Sequence, residues 1–473
     1  MKRLSTSPVV KALALAALTA FVCRAQNDGS LLITHAHQTP TGMALAWSDA
    51  GSNVAYTVQT REGLGDGLWL LPPSPHPWPV AETAWIEAAP SAAPARFYRV
   101  LAVPAAQRGK VLSSQTNTVW SAGFLSFLFA QAGVPVTPQY DVATYRLVYE
   151  TIDPLGARTL ASAAVAIPVS AGKTWPLLSY QHGTLTRTND APSNMSLSGE
   201  FAIGLALASV GYASVLPDYL GLGSSPGLHP YHHARSEATA CVDALRATRA
   251  LCATNGYALN GQLFLCGYSQ GGHATMALHR ELERYHTNEF TITASAPMAG
   301  AYDLSGVTAE HMLAGGAQPN PYYFAYLLAA YQQVYRLTPT LGDLLKPPYN
   351  TTLPPLMNGN ASGGQINAAM PADPLLILKP ELLADFRTNP NHILRQALRD
   401  NDLLTWTPQR PMRLYHCAGD QDVIKANSLA AQASFQNRGV IVPLIDPLPT
   451  GDHGDCATPS LLLAKAWFDS LKQ

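Results

Sequence analysis

The chain has 473 residues, with 30 Lys plus Arg against 31 Asp plus Glu. A formal net charge of −1 and a charged fraction of only 13% exclude the basic surface that a nucleic-acid partner requires. The length leaves room for one large domain with an insertion, or for two to three domains. Lys2, Arg3 and Lys11 precede an apolar run from Ala12 to Val22 and then Cys23-Arg24-Ala25. This is the pattern of a secretory signal, here residues 1–25, and it predicts a secreted or periplasmic protein. A lipid anchor on Cys23 is the rival reading. No later run approaches the roughly 18 continuous apolar residues of a membrane span. Removal of the signal leaves Cys241, Cys252, Cys266, Cys417 and Cys456, an odd number that excludes a fully paired disulfide scaffold.

Residues 27–103 read as short strands: Leu31 to Thr34, Met43 to Trp47, Ala55 to Gln59, Ala84 to Ile86 and Arg96 to Val100, separated by Gly, Asn and Pro clusters. A small all-β sandwich is expected. The Tyr-Thr-Val-Gln strand, the later Trp85 and the closing Arg-Phe-Tyr-Arg-Val segment resemble fibronectin type III-like modules of bacterial extracellular enzymes. That resemblance implies an accessory spacer or a weak adhesion surface. Pro72 to Pro79 reads as a loop inside the module. His35 and His37 alternate on a strand without a third metal ligand in sight.

Beyond about residue 140, apolar strands alternate with helical periods, which predicts βαβ units and a mainly parallel sheet within a catalytic domain of residues 104–473. Trp175 to Gln181 leads into His182-Gly183-Thr184, and Tyr212 to Leu216 leads into Pro217-Asp218-Tyr219. Gln262 to Cys266 runs into Gly267-Tyr268-Ser269-Gln270-Gly271, and a helix follows. Strand, sharp turn and helix are the context of a G-x-S-x-G nucleophile elbow, with Ser269 at its apex.

A serine hydroxyl needs a base, and in this arrangement the order along the chain is Ser, acid, His. His453, in the polar loop Gly451-Asp452-His453-Gly454-Asp455 ahead of an amphipathic closing helix expected over Leu461 to Leu471, is the expected base. His416 precedes the acid candidates, lies in the expected strand Pro411 to His416, and reads as a packed core residue. Asp420 is the expected acid and Asp422 its alternative. The oxyanion donors are expected from the backbone N–H groups of Gln270 and Thr184.

Tyr180 to Thr184 with Ala191-Pro192-Ser193, Pro217 to Gly223 with His229-Pro230-Tyr231, and Gly267 to Gly272 together resemble the secretory lipase and esterase branch of the α/β-hydrolases. The likeness spans roughly residues 140–473. It implies an α/β-hydrolase fold, triad positions for Ser269, Asp420 and His453, and oxyanion positions for Thr184 and Gln270. It also implies a small-molecule or lipid ester as substrate, without a cofactor. His229, His232 and His233 sit close in sequence, yet loop histidines of this kind predict no metal.

The 151 residues from Ser269 to Asp420 exceed what two further β-α units require, so residues of about 305–405 are expected to form a helical cap. Phe324, Leu327, Leu328, Tyr331 and Tyr335 recur there at helical spacing, either as a packing stripe or as an acyl-binding wall. Cys417 and Cys456 flank the proposed acid and base by three residues each. Because the two loops must meet, a bridge between them is expected. Three functions compete: a carboxylesterase or lipase, a serine peptidase or polyester depolymerase, and a non-catalytic secreted binding protein.

Overall fold

A computed structural model describes residues 31–40, 42–63, 67–88 and 96–473; the expected signal segment lies outside them. The first five strands are β1 (Ile33–Thr39), β2 (Gly42–Trp47), β3 (Val54–Arg61), β4 (Ala84–Ile86) and β5 (Phe97–Pro104). They form two small antiparallel sheets, β1-β2-β4 and β3-β5. Trp47, Tyr56, Val58, Trp85 and Val100 fill the space between the sheets. Burying these large side chains against one another is what gives so small a module its core. His35 and His37 both stand exposed on β1.

The catalytic portion is built on β6 (Val111–Trp120), β7 (Asp141–Ile152), β8 (Arg158–Val169), β9 (Thr174–Gln181), β10 (Ala213–Pro217), β11 (Ala258–Tyr268), β12 (Ile292–Met298), β13 (Leu414–Tyr415) and β14 (Leu444–Ile445). These strands form one nine-stranded sheet, ordered β14-β13-β12-β11-β9-β10-β8-β7-β6. Strands β9 to β14 pair in parallel, whereas β8 is antiparallel to β10 and β7, and β6 is antiparallel to β7. The strand-like runs of β7 and β8 are almost wholly buried, because helices cover both faces of the sheet.

Those helices include α1 (Ala122–Gln131), α2 (Phe201–Ser209), α3 (Ala234–Thr254) and α4 (Gln270–Tyr285). One face of the sheet packs on Cys241 and Leu245 of α3 and on Ala274 and Leu278 of α4. The other packs on Leu125 of α1, Leu205 of α2 and Phe468 of the closing helix His453–Asp469. This is an α/β-hydrolase architecture preceded by a small antiparallel β module.

Two local expectations shift. The strand expected from Pro411 to His416 contracts to Leu414–Tyr415, with Met412 making only an isolated bridge to Ser295. Pro411 has no N–H to donate to a ladder. The closing helix runs His453–Asp469 rather than Leu461 to Leu471, because the Asp452 carboxylate accepts the Asp455 N–H at 2.8 Å and caps it there.

The inserted region is largely helical, with its longest helix at Tyr322–Tyr335. Phe324, Leu327, Leu328 and Tyr331 are all buried, and they pack with Leu345, Leu375, Phe386 and Leu398. The stripe is therefore the internal core of the cap. Asn320 reaches back to the Asp422 carboxylate at 2.9 Å, and Thr186 donates to the Ala361 carbonyl at 2.8 Å, which ties the cap to loops at the sheet edge.

Candidate active site

Strand β11 and helix α4 meet at Ser269, whose φ of 60° and ψ of −121° fall where L residues rarely sit. The turn is possible only because its neighbours lack side chains. A Cβ on Gly267 would stand 2.5 Å from the Gln181 and Gly271 carbonyl oxygens, and one on Gly271 would drive into the Gln181 carbonyl. The Ser269 N–H donates to the Met298 carbonyl at 2.9 Å, which fixes the elbow against β12.

The Ser269 hydroxyl lies 2.8 Å from His453 Nε2, at the first turn of the closing helix. His453 Nδ1 lies 2.6 Å from Asp420 Oδ2, so Nδ1–H donates to the carboxylate and Nε2 is left to accept from the serine. Asp420 is 1% exposed. Burial opposes its ionisation, but His416 and His453 beside it, with the Val423 N–H, hold it down at about 2. Its Oδ1 accepts the N–H groups of Asp422 at 3.0 Å and Val423 at 2.9 Å. Asp422 instead turns its carboxylate to Asn320. His416 is fully buried between Ser428 Oγ and the Val423 carbonyl.

Cys417 and Cys456 form a disulfide with Cα atoms 5.9 Å apart, while Cys241, Cys252 and Cys266 are free and buried. The bridge joins the acid loop to the first turn of the helix that begins with His453.

Gln270 opens α4, so its N–H lies outside the helical ladder and at the positive end of the helix dipole. On the facing loop, Thr184 Oγ1 meets Tyr231 Oη at 2.9 Å, and the Gly183 N–H donates to Glu200 Oε1 at 2.9 Å. Glu200 also accepts from Tyr180 Oη at 2.7 Å, which pins this loop to its own strand. Tyr219 Oη donates to the His182 carbonyl at 3.1 Å.

Beneath the elbow lies a buried polar network that the sequence did not reveal. The Gln270 amide donates to Glu237 Oε1 at 2.8 Å and to His229 Nε2 at 2.6 Å. Burial brings His229 down to about 4, so its ring is neutral near pH 7 and its Nδ1–H donates to the Leu220 carbonyl at 2.8 Å. Glu237 Oε2 meets His273 Nδ1 at 2.7 Å, and His273 Nε2 faces the Asn401 carbonyl at 3.1 Å. Both ring nitrogens of His273 thus face oxygen atoms. Burial resists the Glu237 charge, but the adjacent His273 outweighs it and holds Glu237 at about 2.

His232, Glu237 and His273 also have potential ligand atoms within 4.8 Å of one another. The 2.7 Å contact between Glu237 and His273 is a hydrogen-bond distance. Two ligands of one tetrahedral zinc stand roughly 3.4 Å apart, given metal–ligand bonds of about 2.1 Å. As they stand, these two side chains leave no room for an ion between them. Gln270 and His229 lie in segments the sequence already singled out, but Glu237 and His273 come from separate helices, and no local motif marked them.

Fold and site together place the chain among the hydrolases built on a nucleophile elbow. The profile of the secretory lipase family matches residues 193–307. The rice cell wall degrading esterase LipA from Xanthomonas oryzae is 32% identical at a TM-score of 0.68, over 76% of this chain and 96% of that one. A Legionella pneumophila protein assigned provisionally as a hydrolase is 28% identical at a TM-score of 0.71, over 76% and 98% of the two chains. Candida antarctica lipase A shares the fold at 18% identity and a TM-score of 0.56, over 77% of this chain and 83% of that one. No curated protein matches the sequence. The chain belongs to this lipase and esterase family of α/β-hydrolases, and it is an ester hydrolase.

Proposed function

We propose that the protein is a secreted serine carboxylic-ester hydrolase working through an acyl-enzyme, with Ser269, His453 and Asp420 as its triad. The observation that carries this reading is the unbroken chain from Ser269 Oγ to His453 at 2.8 Å and on to Asp420 at 2.6 Å. Ser269 Oγ attacks the ester carbonyl carbon as its proton passes to His453 Nε2, and the carbonyl oxygen becomes an oxyanion. The N–H groups of Gln270 and Thr184 stabilise that oxyanion, each contributing about 3 to 4 kcal/mol. Collapse breaks the C–O bond to the leaving alcohol, which takes the proton from His453. A water, deprotonated by the same ring, then attacks the acyl carbonyl and releases the acid and free Ser269. Asp420 remains ionised throughout and holds the imidazole tautomer.

Residues 1–25 serve as the secretory signal in this reading, consistent with the family matched. No helix among the described residues is long and apolar enough to cross a membrane. The β module of residues 27–103 acts as a fibronectin type III-like accessory unit before the catalytic domain of residues 104–473, which the cap of about 305–405 completes. The LipA relative is described as degrading rice cell wall, so cell-wall esters belong beside short acyl esters in a substrate panel.

The test is a short-chain nitrophenyl ester assay of the wild type and Ser269→Ala, with a phosphonate ester as covalent probe. Hydrolysis by the wild type, at least about 10^4-fold loss in the variant, and a phosphonate adduct on Ser269 are expected. Turnover that survives the substitution removes Ser269 from the mechanism.

A further inference from the structure

A cleft of about 1090 Å³ separates the β module from the catalytic portion. Its walls come from the module, from the start of α3 and the far half of α4, and from cap residues between Leu382 and Asp402. Six arginines line it, and three of them come from the helices packed on the sheet: Arg235 on α3, and Arg280 and Arg284 one turn apart on α4. Like charges at that spacing on one helix repel. Burial first, and then the charge of Arg235, bring Arg280 down to about 10 against the opposing charges of Glu281 and Asp400.

Among the described residues none of the three has a carboxylate at ion-pair distance. Arg235 lies over the Trp78 ring at 5.5 Å. Arg280 donates to the Asp402 carbonyl at 3.1 Å, and Arg284 to the Ser74 carbonyl at 3.3 Å. The acids that share the cleft take their close partners elsewhere, and Arg235 acts on Asp400 and Glu281 only through its charge at longer range. Asp400 accepts from Tyr335 Oη at 2.8 Å, Asp402 binds the Ser305 N–H and hydroxyl, and Glu281 faces His286 at 3.6 Å. A carboxylate is the natural partner of such guanidinium groups, since the planar fork pairs with it through two hydrogen bonds.

The rest of the lining decides what carries that carboxylate. Thr60, Asn389, Asn391 and Gln396 offer hydroxyl and amide groups. Glu62 and Asp385 on the same walls accept hydroxyl donors. A cavity of this volume exceeds a single small anion many times over. We propose that the cleft between module and catalytic domain binds a carboxylate-bearing oligosaccharide, with Arg235, Arg280 and Arg284 holding its acid groups. The site is separate from Ser269 and does not depend on the triad assignment. It gives the module a concrete role in adhesion, since the module supplies one wall.

Calorimetric titration of the full chain with a uronic-acid oligomer, a neutral glucose oligomer and inorganic phosphate tests this. Saturable binding of the uronate is expected, at least tenfold tighter than the neutral oligomer and weakened by salt. Arg235→Gln and Arg280→Gln should each weaken uronate binding at least tenfold and leave short-ester turnover unchanged. Arg284→Gln, at an exposed position, keeps the test open should either of the others misfold. Absence of uronate binding in the wild type, equal binding of the neutral oligomer, binding of phosphate alone, or full affinity in correctly folded variants would each overturn the proposal.

Discussion

Asp420 and Asp422 stand two residues apart, yet backbone direction gives them opposite surroundings. Asp420 turns inward to His453 and collects two backbone N–H groups, while Asp422 turns outward to Asn320 of the cap. Asp420→Asn is expected to lower kcat on a short ester by about 10^4-fold, because the amide leaves the imidazole in the wrong tautomer. Asp422→Asn should change kcat by less than about threefold, since it touches neither reacting group. Steady-state kinetics on the two variants separates them. Stability carries a second signature. The folded value of about 2 lies below the ordinary carboxylate value near 3.9 in the unfolded chain. Its contribution is therefore complete above about pH 4 and is lost as pH falls toward 2. Chemical unfolding between those limits should steepen for the wild type relative to Asp420→Asn.

Glu237 acts at the same scale but through its neighbours. It is fully buried, pairs with His273 and holds the side chain of Gln270, whose N–H is a proposed oxyanion donor. Glu237→Gln keeps the shape and removes the buried charge that His273 and Gln270 face. Breaking one side of such a pair costs about 3 to 5 kcal/mol. Urea unfolding should register that loss, and an unchanged midpoint would show that the pair contributes no net stability.

At the scale of elements, the acid loop and the base helix are held by one covalent link. The Cys417–Cys456 bridge spans 39 residues, a loop for which chain entropy predicts about 4 kcal/mol of stabilisation. Cys417→Ser with Cys456→Ser should lower the thermal midpoint by several degrees and bring inactivation of the ester activity to a lower temperature. Residual activity after graded heating measures both.

Elements with strong local signals were readable from the sequence. The elbow showed because Gly267 and Gly271 are demanded by carbonyl oxygens too close to admit a Cβ, and β10 emerged at Ala213–Pro217 because it is a short, mostly apolar and wholly buried run. The start of the closing helix was misplaced by a polar segment whose Asp452 cap can be recognised only once its Asp455 partner is known. The Glu237–His273 pair was invisible for another reason. Its members lie 36 residues apart on α3 and α4, and only the packing of those helices brings them together. The antiparallel extension of β6 to β8 also escaped, since buried runs look alike whichever way they point.

At the scale of the whole molecule, hydrogen bonds among the described residues help seat the β module on the catalytic portion. Leu68 N–H donates to Gln396 of the cap at 3.2 Å, Ser74 accepts from Arg284 and Tyr285 of α4, and Thr57 Oγ1 donates to the Leu155 carbonyl at 2.7 Å in the β7–β8 turn. The last is the tightest. Trp78 donates its indole N–H to the same Thr57 oxygen at 3.0 Å, and Gly156 passes beneath with a φ of 85°. A Cβ at Gly156 would stand 2.8 Å from Thr57 Oγ1 and 3.0 Å from Pro79 Cβ. Gly156→Ala therefore meets two penalties, about 1 to 2 kcal/mol for the left-handed backbone and a further cost to move the module off the turn. A lower thermal midpoint and a larger radius of gyration by small-angle scattering are expected. Turnover of a short ester should hold, because no contact of Ser269, His453 or Asp420 involves this turn. A variant as compact and as stable as the wild type would mean that the module is held by its other contacts alone.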